Sequence, residues 1–336
     1  MRVILLCIAP ALMHRLRSVT RFLSAKTTRK IAFSFLTALL LAGSAQNGQS
    51  AGTVIAAIMS SDQPRYREAH RSFVKSLAAR GYTAATTEII LQAPNPDPLS
   101  WSNTIRKFNA YKPDLIVAYG ASAALTAIKE SNGIPVVSTD IYTTDHPAKG
   151  LCGVSSRVPM VTLLKTLQEI RPYRRIGIIY NSREAGSQLQ AEDIKKIALQ
   201  LGVSVSDGNF TTNAALEAGL HGFIDRVDVV LVTESSTACR NFDRIISQAK
   251  KLNKAVAAIM PDSAEKGALV SLEISPQEQG HLAAEIAVRI LEGAAPEHLS
   301  LLTPRRVELI VNMRSAREMG ISLPFTVLGN ATRILK

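Results

Sequence analysis

Short apolar runs, each closed by a polar turn and followed by a segment with apolar positions three and four apart, recur from residue 54 to the end of the chain. The runs at 54–59, 86–91, 115–119, 136–139, 175–180, 203–206, 229–233, 255–260, 268–274 and 308–311 predict strands. The segments 65–80, 99–111, 121–131, 158–170, 185–201, 214–226, 237–252 and 277–292 predict helices. Near-continuous apolar strands alternating with amphipathic helices indicate parallel sheets covered on both faces.

The pattern restarts. VIAAIM at 54–59 leads through Ser60-Ser61-Asp62-Gln63-Pro64 into a helical segment that ends at Gly81, and RIGIIY at 175–180 leads through Asn181-Ser182-Arg183-Glu184 into one that ends at Gly202. A single closed barrel also alternates, but a restart with the terminal glycine in register argues for an α/β chain of two doubly wound parallel-sheet lobes. A hinge and an interlobe cleft follow, with ligand-facing loops at the carboxyl ends of the strands. Asp97-Pro98 and Ser275-Pro276 read as helix starts, and Gly81 and Gly202 as left-handed helix ends. The crossings between lobes are expected within 150–159, 261–267 and 294–304. These give a first lobe of 53–153 plus 264–295 and a second of 154–263 plus 296–336.

The first 45 residues differ from the rest. Arg2, Arg15, Arg17, Arg21, Lys26, Arg29 and Lys30 occur there with no acidic residue, and IAFSFLTALLLA at 31–42 precedes Gly43-Ser44-Ala45. This is the pattern of a secretory signal peptide over 1–45, followed by a polar spacer at 46–52. A membrane anchor is the competing reading, and the apolar stretch is too short for a bilayer core that needs about 20 residues. A second apolar patch at 3–13 leaves Met13 open as the start of translation. A lipoprotein would need a cysteine where Ser44 stands, so a soluble periplasmic product is expected.

The 336-residue chain carries a formal charge of +12, which falls to +5 once the seven basic leader residues are removed. No Lys/Arg run of nucleic-acid type remains after residue 45, and no nucleic-acid partner is expected. Cys152 and Cys239 are far apart in sequence; an oxidising compartment permits a disulfide, and buried free thiols are the favoured reading. Neither cysteine has a metal-ligand partner at short spacing, H-x-H and H-E-x-x-H do not occur, and both glycine-rich phosphate loops fail, so neither metal nor cofactor is expected.

The residues that end strands carry the chemistry. In the first lobe these are Ser61, Asp62, Gly120, Ser122, Thr139 and Asp140. In the second they are Asn181, Glu184, Ser187, Glu234, Ser235 and Asp262. Hydroxyls and glycines at helix starts leave backbone N–H groups free for a carboxylate, and the acids could meet an ammonium, a cradle suited to an amino acid. Helix capping requires the same residue types. Gly120-Ala121-Ser122-Ala123-Ala124 is similar to a nucleophile elbow, which would need a positioned histidine; His146 alone follows a strand-end loop, and no catalytic residue is assigned.

From about residue 54 to 324 the chain resembles the ABC-transporter substrate-binding proteins related to tryptophan/tyrosine-binding receptors. The resemblance rests on RRIGIIYNSREAGS at 174–187, on 229–236, on KGAL at 266–269, and on TPRRVELIVN at 303–312 continuing to MGISLP at 319–324. It implies the type I periplasmic binding protein fold, a small-molecule ligand, a membrane permease as partner and a monomeric receptor that hinges shut. It carries family binding loops onto Ser61, Asp62, Ser122, Asn181, Glu184, Ser187, Glu234 and Ser235. Glu234-Ser235-Ser236 replaces an Asp-Asn-Thr loop, Ser275-Pro276 replaces a Tyr pair and Gly186 replaces Asn, so an aromatic ligand does not follow from the resemblance. A sensory protein signalling to a membrane partner uses the same hinge and stays open as an alternative, with a serine hydrolase behind it.

Overall fold

In a computed structural model the described residues are 52–143 and 151–336. The leader expected over 1–45, the spacer up to residue 51, His146 and Gly150 lie outside them. Among the described residues, no helix is long and apolar enough to cross a membrane.

The chain begins with β1 (Thr53–Met59), α1 (Pro64–Ala78), β2 (Thr87–Gln92), α2 (Pro98–Tyr111), β3 (Leu115–Tyr119), α3 (Ala121–Glu130), β4 (Val136–Ile141) and β5 (Cys152–Ser155). It continues through α4 (Met160–Ile170), β6 (Arg175–Tyr180), α5 (Ala185–Gln200), β7 (Ser204–Asn209), α6 (Asn213–Asp225) and β8 (Val229–Val232). Then come α7 (Ser236–Arg240), α8 (Phe242–Lys251), β9 (Ala255–Ala258), β10 (Val270–Ile274), α9 (Pro276–Leu291) and β11 (Leu301–Leu302). The last elements are β12 (Val307–Asn312), α10 (Met313–Glu318), α11 (Phe325–Asn330) and β13 (Arg333–Leu335).

Two sheets result, ordered β11-β5-β4-β3-β1-β2 and β13-β12-β10-β9-β8-β6-β7. Pairing is parallel throughout the first, and in the second only β10 and β12 run antiparallel. Alternate residues feed opposite faces. Ile55, Ala57 and Met59 pack with α1 and α9, whereas Ala56 and Ile58 pack with α2 and α3. In the second sheet Val229 and Leu231 face α4 and α5, and Val230 and Val232 face α6 and α8. Each lobe is thus a sheet between two helical layers, the doubly wound arrangement expected.

Local signals act where the sequence puts them. Asp97 accepts from the Ser100 N–H at 2.9 Å and Ser275 from the Glu278 N–H, so α2 and α9 start at Pro98 and Pro276. The helix expected over 237–252 is instead two helices broken at Asn241.

Strand pairing corrects the expected boundaries. Val270–Ile274 pairs with β9 in the second sheet, so the chain returns to the first lobe after Ile274 rather than within 261–267. β11 pairs with β5 in the first sheet, which keeps residues 296–302 with that lobe. The short strand β5 itself occupies the segment read as a connection. Cys152 and Cys239 are free, and Cys152 donates to the Val136 carbonyl at 3.2 Å.

Candidate functional site

α1 begins where β1 ends, with Pro64 at its first turn and Arg65 next. A cation there opposes the helix dipole and needs carboxylates to hold it. Two supply that: Arg65 Nη1 lies 3.3 Å from Asp140 Oδ2, at the end of β4, and pairs with Glu234 Oε2, beyond β8 in the other lobe. Arg65 Nη2 donates to Tyr66 Oη at 2.6 Å, and the guanidinium carbon stands 4.5 Å from the Tyr66 ring centre. Arg65 is 7% exposed, and among the described residues its Nε finds no hydrogen-bond partner.

Each acid is held at its backbone by a buried glutamine of its own lobe. Gln279 on α9 accepts from the Asp140 N–H at 3.0 Å and donates to the Ser155 carbonyl at 2.8 Å. Gln190 on α5 accepts from the Glu234 N–H at 2.9 Å. Asp140 adopts a left-handed φ of 55°, which Asp tolerates better than most residues.

Burial disfavours the charge on Arg65, and Asp140 and Glu234 more than reverse this, so its pKa lies above the ordinary guanidinium value. Glu234 responds oppositely. Burial raises its carboxyl to about 7, against the pull of Arg65 and with the help of the Asp140 charge. Burial also raises Glu184, although hydrogen bonds from Ser236 oppose the shift.

The remaining expected residues divide by position. Asn181, Glu184 and Ser187 knit the second lobe to itself: Asn181 Nδ2 donates to Glu184 Oε1 at 2.8 Å, Ser236 Oγ donates to the same oxygen at 2.6 Å, and Ser187 meets Thr233 at 2.7 Å. Ser235 caps α7 through the Ala238 N–H at 3.1 Å. Ser61 is fully buried and accepts from Gln63 Nε2 at 2.8 Å. Gly120 starts α3 at φ +85°, where a Cβ would fall 2.3 Å from Tyr66 Oη. Ser122 Oγ crosses the cleft to accept from the Ala185 N–H at 3.1 Å, so the elbow-like serine meets a helix start, while His70 pairs with Tyr119 Oη at 3.0 Å.

Of the expected residues only Asp140 and Glu234 contact Arg65, and Asp62, Thr139 and Asp262 have no part in the surrounding contacts either. Asp62 is exposed and paired with Arg67, which holds its carboxyl below the usual range. Thr139 is buried with no partner for Oγ1 among the described residues. Asp262 lies outside, at φ +61°, where its N–H donates to Glu273 Oε2 at 2.9 Å.

Around Arg65, Asp140 and Glu234 a cavity of about 20 Å³ is also lined by Gln190, Gln279, Ser156, Val158, Ile259, Pro261, Ile274 and Pro276. That is room for about one water. It adjoins a groove of about 680 Å³ running from Glu68 and Gln277 of the first lobe to Asp262, Glu273 and Glu308 of the second. Sequence reading missed Arg65, Gln190, Gln279 and Ser156. A basic residue in the first turn of a helix runs against the dipole, which marks Arg65 as unusual without showing that it is buried.

Two doubly wound α/β lobes joined by three crossings have the type I periplasmic binding protein fold. Residues 53–335 match the family model described as ABC transporter substrate binding protein, and the chain belongs to that family. It is 24% identical over 263 residues to the tyrosine-binding protein of Clostridioides difficile strain R20291, covering 75% of this chain and 76% of the relative. Among solved structures, a conserved domain protein from Vibrio cholerae aligns with TM-score 0.78 and 22% identity, covering 84% of this chain and 99% of that one. A Streptococcus ABC domain in complex with L-Trp aligns with TM-score 0.78 and 21% identity, covering 84% and 100%.

Proposed function

We propose that this chain is the exported receptor of an ABC importer, working as a monomer that captures a small α-amino acid between its lobes and passes it to a membrane permease without transforming it. The observation that carries this reading is Arg65, a buried guanidinium at the interlobe face with an open Nε donor and two carboxylates around it. A guanidinium matches the planar, two-pronged shape of a carboxylate. Glu234 occupies that place with its own carboxylate. A solute carboxylate would exchange for it, freeing Glu234 and Asp140 to receive the solute ammonium.

Closure suits such a site. The chain passes between the sheets after Ser155, after Ile274 and after Leu302, so bending at these crossings moves Glu234 of one lobe against the guanidinium of the other. The named relatives include a tyrosine-binding protein and an L-Trp complex, which agrees with an amino-acid solute.

The test is thermal-shift screening of the purified chain against the common L-amino acids and small organic acids. At least one amino acid should raise the melting temperature in a concentration-dependent way, and Arg65→Met should abolish that rise. If no amino acid does so, the reading fails.

A further inference from the structure

Resting on the solute-binding reading above, we infer that the solute carries a second positive charge at the end remote from its carboxylate, which makes it a basic α-amino acid. The inner cavity and the outer groove share Pro261, Ile274 and Pro276 as walls. Chemistry changes in order along them.

At the inner end stand two buried polar groups with unused capacity. Arg65 is 7% exposed with Nε unpartnered, and Ser156 is 4% exposed with Oγ unpartnered, both among the described residues. Open buried donors cost free energy until an acceptor arrives, and a carboxylate satisfies the guanidinium best. The shared neck is aliphatic. Methylene groups pack there without leaving a polar atom unpaired.

The outer groove is acidic on both sides. Glu68 comes from the first lobe, and Asp262, Glu273 and Glu308 come from the second. Oxygens of Asp262, Glu265 and Glu273 approach within 4.8 Å of one another. Two arginines, Arg306 and Arg333, also line the groove, and Arg333 is already engaged by Glu265 and Glu308; with Glu278 the lining acids number five against these two, which leaves negative charge in excess. A cleft lining with a net excess of one sign concentrates the opposite charge.

Acceptor, aliphatic stem and cation is the order of groups in a lysine- or arginine-like molecule. An aromatic side chain reaching the same groove would lie against carboxylates instead of an apolar wall, and a neutral chain would leave them unpaired.

Isothermal titration calorimetry of the intact chain tests this with L-lysine and L-arginine against their uncharged counterparts L-norleucine and L-citrulline, and against L-tryptophan and L-tyrosine. L-lysine should bind at least about tenfold more tightly than L-norleucine. The double variant Glu68→Gln/Asp262→Asn should reduce that ratio to about threefold or less, because both positions border the groove and neither is buried. Asn accepts the left-handed backbone of residue 262 as readily as Asp does, and an unchanged melting temperature would verify that the variant folds. Equal or tighter binding of L-norleucine, L-citrulline or the aromatic amino acids overturns the inference and leaves the solute-binding reading standing. A ratio unchanged in the folded double variant also overturns it. If no amino acid binds, both readings fall together.

Discussion

Arg65 on α1 and Glu234 beyond β8, 169 positions apart in sequence and on opposite lobes, form an ion pair closed off from solvent. The contact joins two units whose sheets share no strand. A pair of this kind is weak evidence for stability as a whole, because desolvation offsets much of its attraction, but removing one partner leaves the other charge buried alone.

Arg65→Met strands Asp140 and Glu234 side by side. We expect a loss on the order of 3–5 kcal/mol in stability, read by urea denaturation, together with loss of solute binding by calorimetry. Arg65→Lys keeps the charge but not the fork that reaches Asp140, Glu234 and Tyr66 at once. It should recover most of the stability and little of the affinity.

The Glu234 carboxyl gives a pH signature whose sign follows from its environment. Burial raises it from 4.5 to about 7, with Arg65 opposing and Asp140 reinforcing the shift. Between those values the folded chain binds more protons than the unfolded one, so this contribution to stability is present below about 4.5 and lost as pH rises through about 7. Glu184, raised in the same sense, adds to the trend, whereas Arg65 stays charged throughout. Glu234→Gln should therefore flatten the decline in melting temperature between pH 5 and pH 8, roughly the window set by these shifts. A slope identical to the parent would show that Glu234 titrates normally.

Gln190 and Gln279 perform matching tasks on opposite lobes, each accepting from the backbone N–H of an acid that meets Arg65. Gln279→Leu should cost more than Gln190→Leu, because Gln279 also donates to the Ser155 carbonyl. Leaving a buried N–H unsatisfied costs about 1–3 kcal/mol. A positioning role predicts more than instability: in calorimetry each variant should weaken solute binding, and Gln→Glu at position 279 should restore the acceptor without restoring the donor. Unchanged affinity in both leucine variants would reduce the glutamines to packing.

Much of the architecture is legible from residue 54 onward because strand and helix periods record burial directly. The run at 175–180 and its loop match the observed β6 residue for residue. Membership of one sheet or the other is not recorded, since an apolar strand such as 270–274 is buried in either lobe. The four-residue β5, with Gly153 at φ +140° pressed against Ser138, carries too little pattern to read as a strand. Asp140 and Glu234 were legible as acids ending strands. Arg65 was not, because the charge of a basic helix residue says nothing of its burial; only the approach of a second lobe buries it.

Gly280 on α9 stands directly after Gln279, where α9 crosses α1. A Cβ there would fall 1.9 Å from the Ala69 carbonyl oxygen, a backbone atom that cannot turn aside. Alanine has the better intrinsic helix propensity by about 1 kcal/mol, but separating two packed helices costs more, commonly about 1–3 kcal/mol. Gly280→Ala should thus lower the melting temperature and, by displacing Gln279 from Asp140, weaken solute binding as well. Gly222 on α6 is the control, since a Cβ built there meets nothing within 4 Å. Gly222→Ala should raise the melting temperature slightly and leave affinity unchanged. Were the two substitutions to shift melting in the same direction, close approach of α1 and α9 would not be what Gly280 provides.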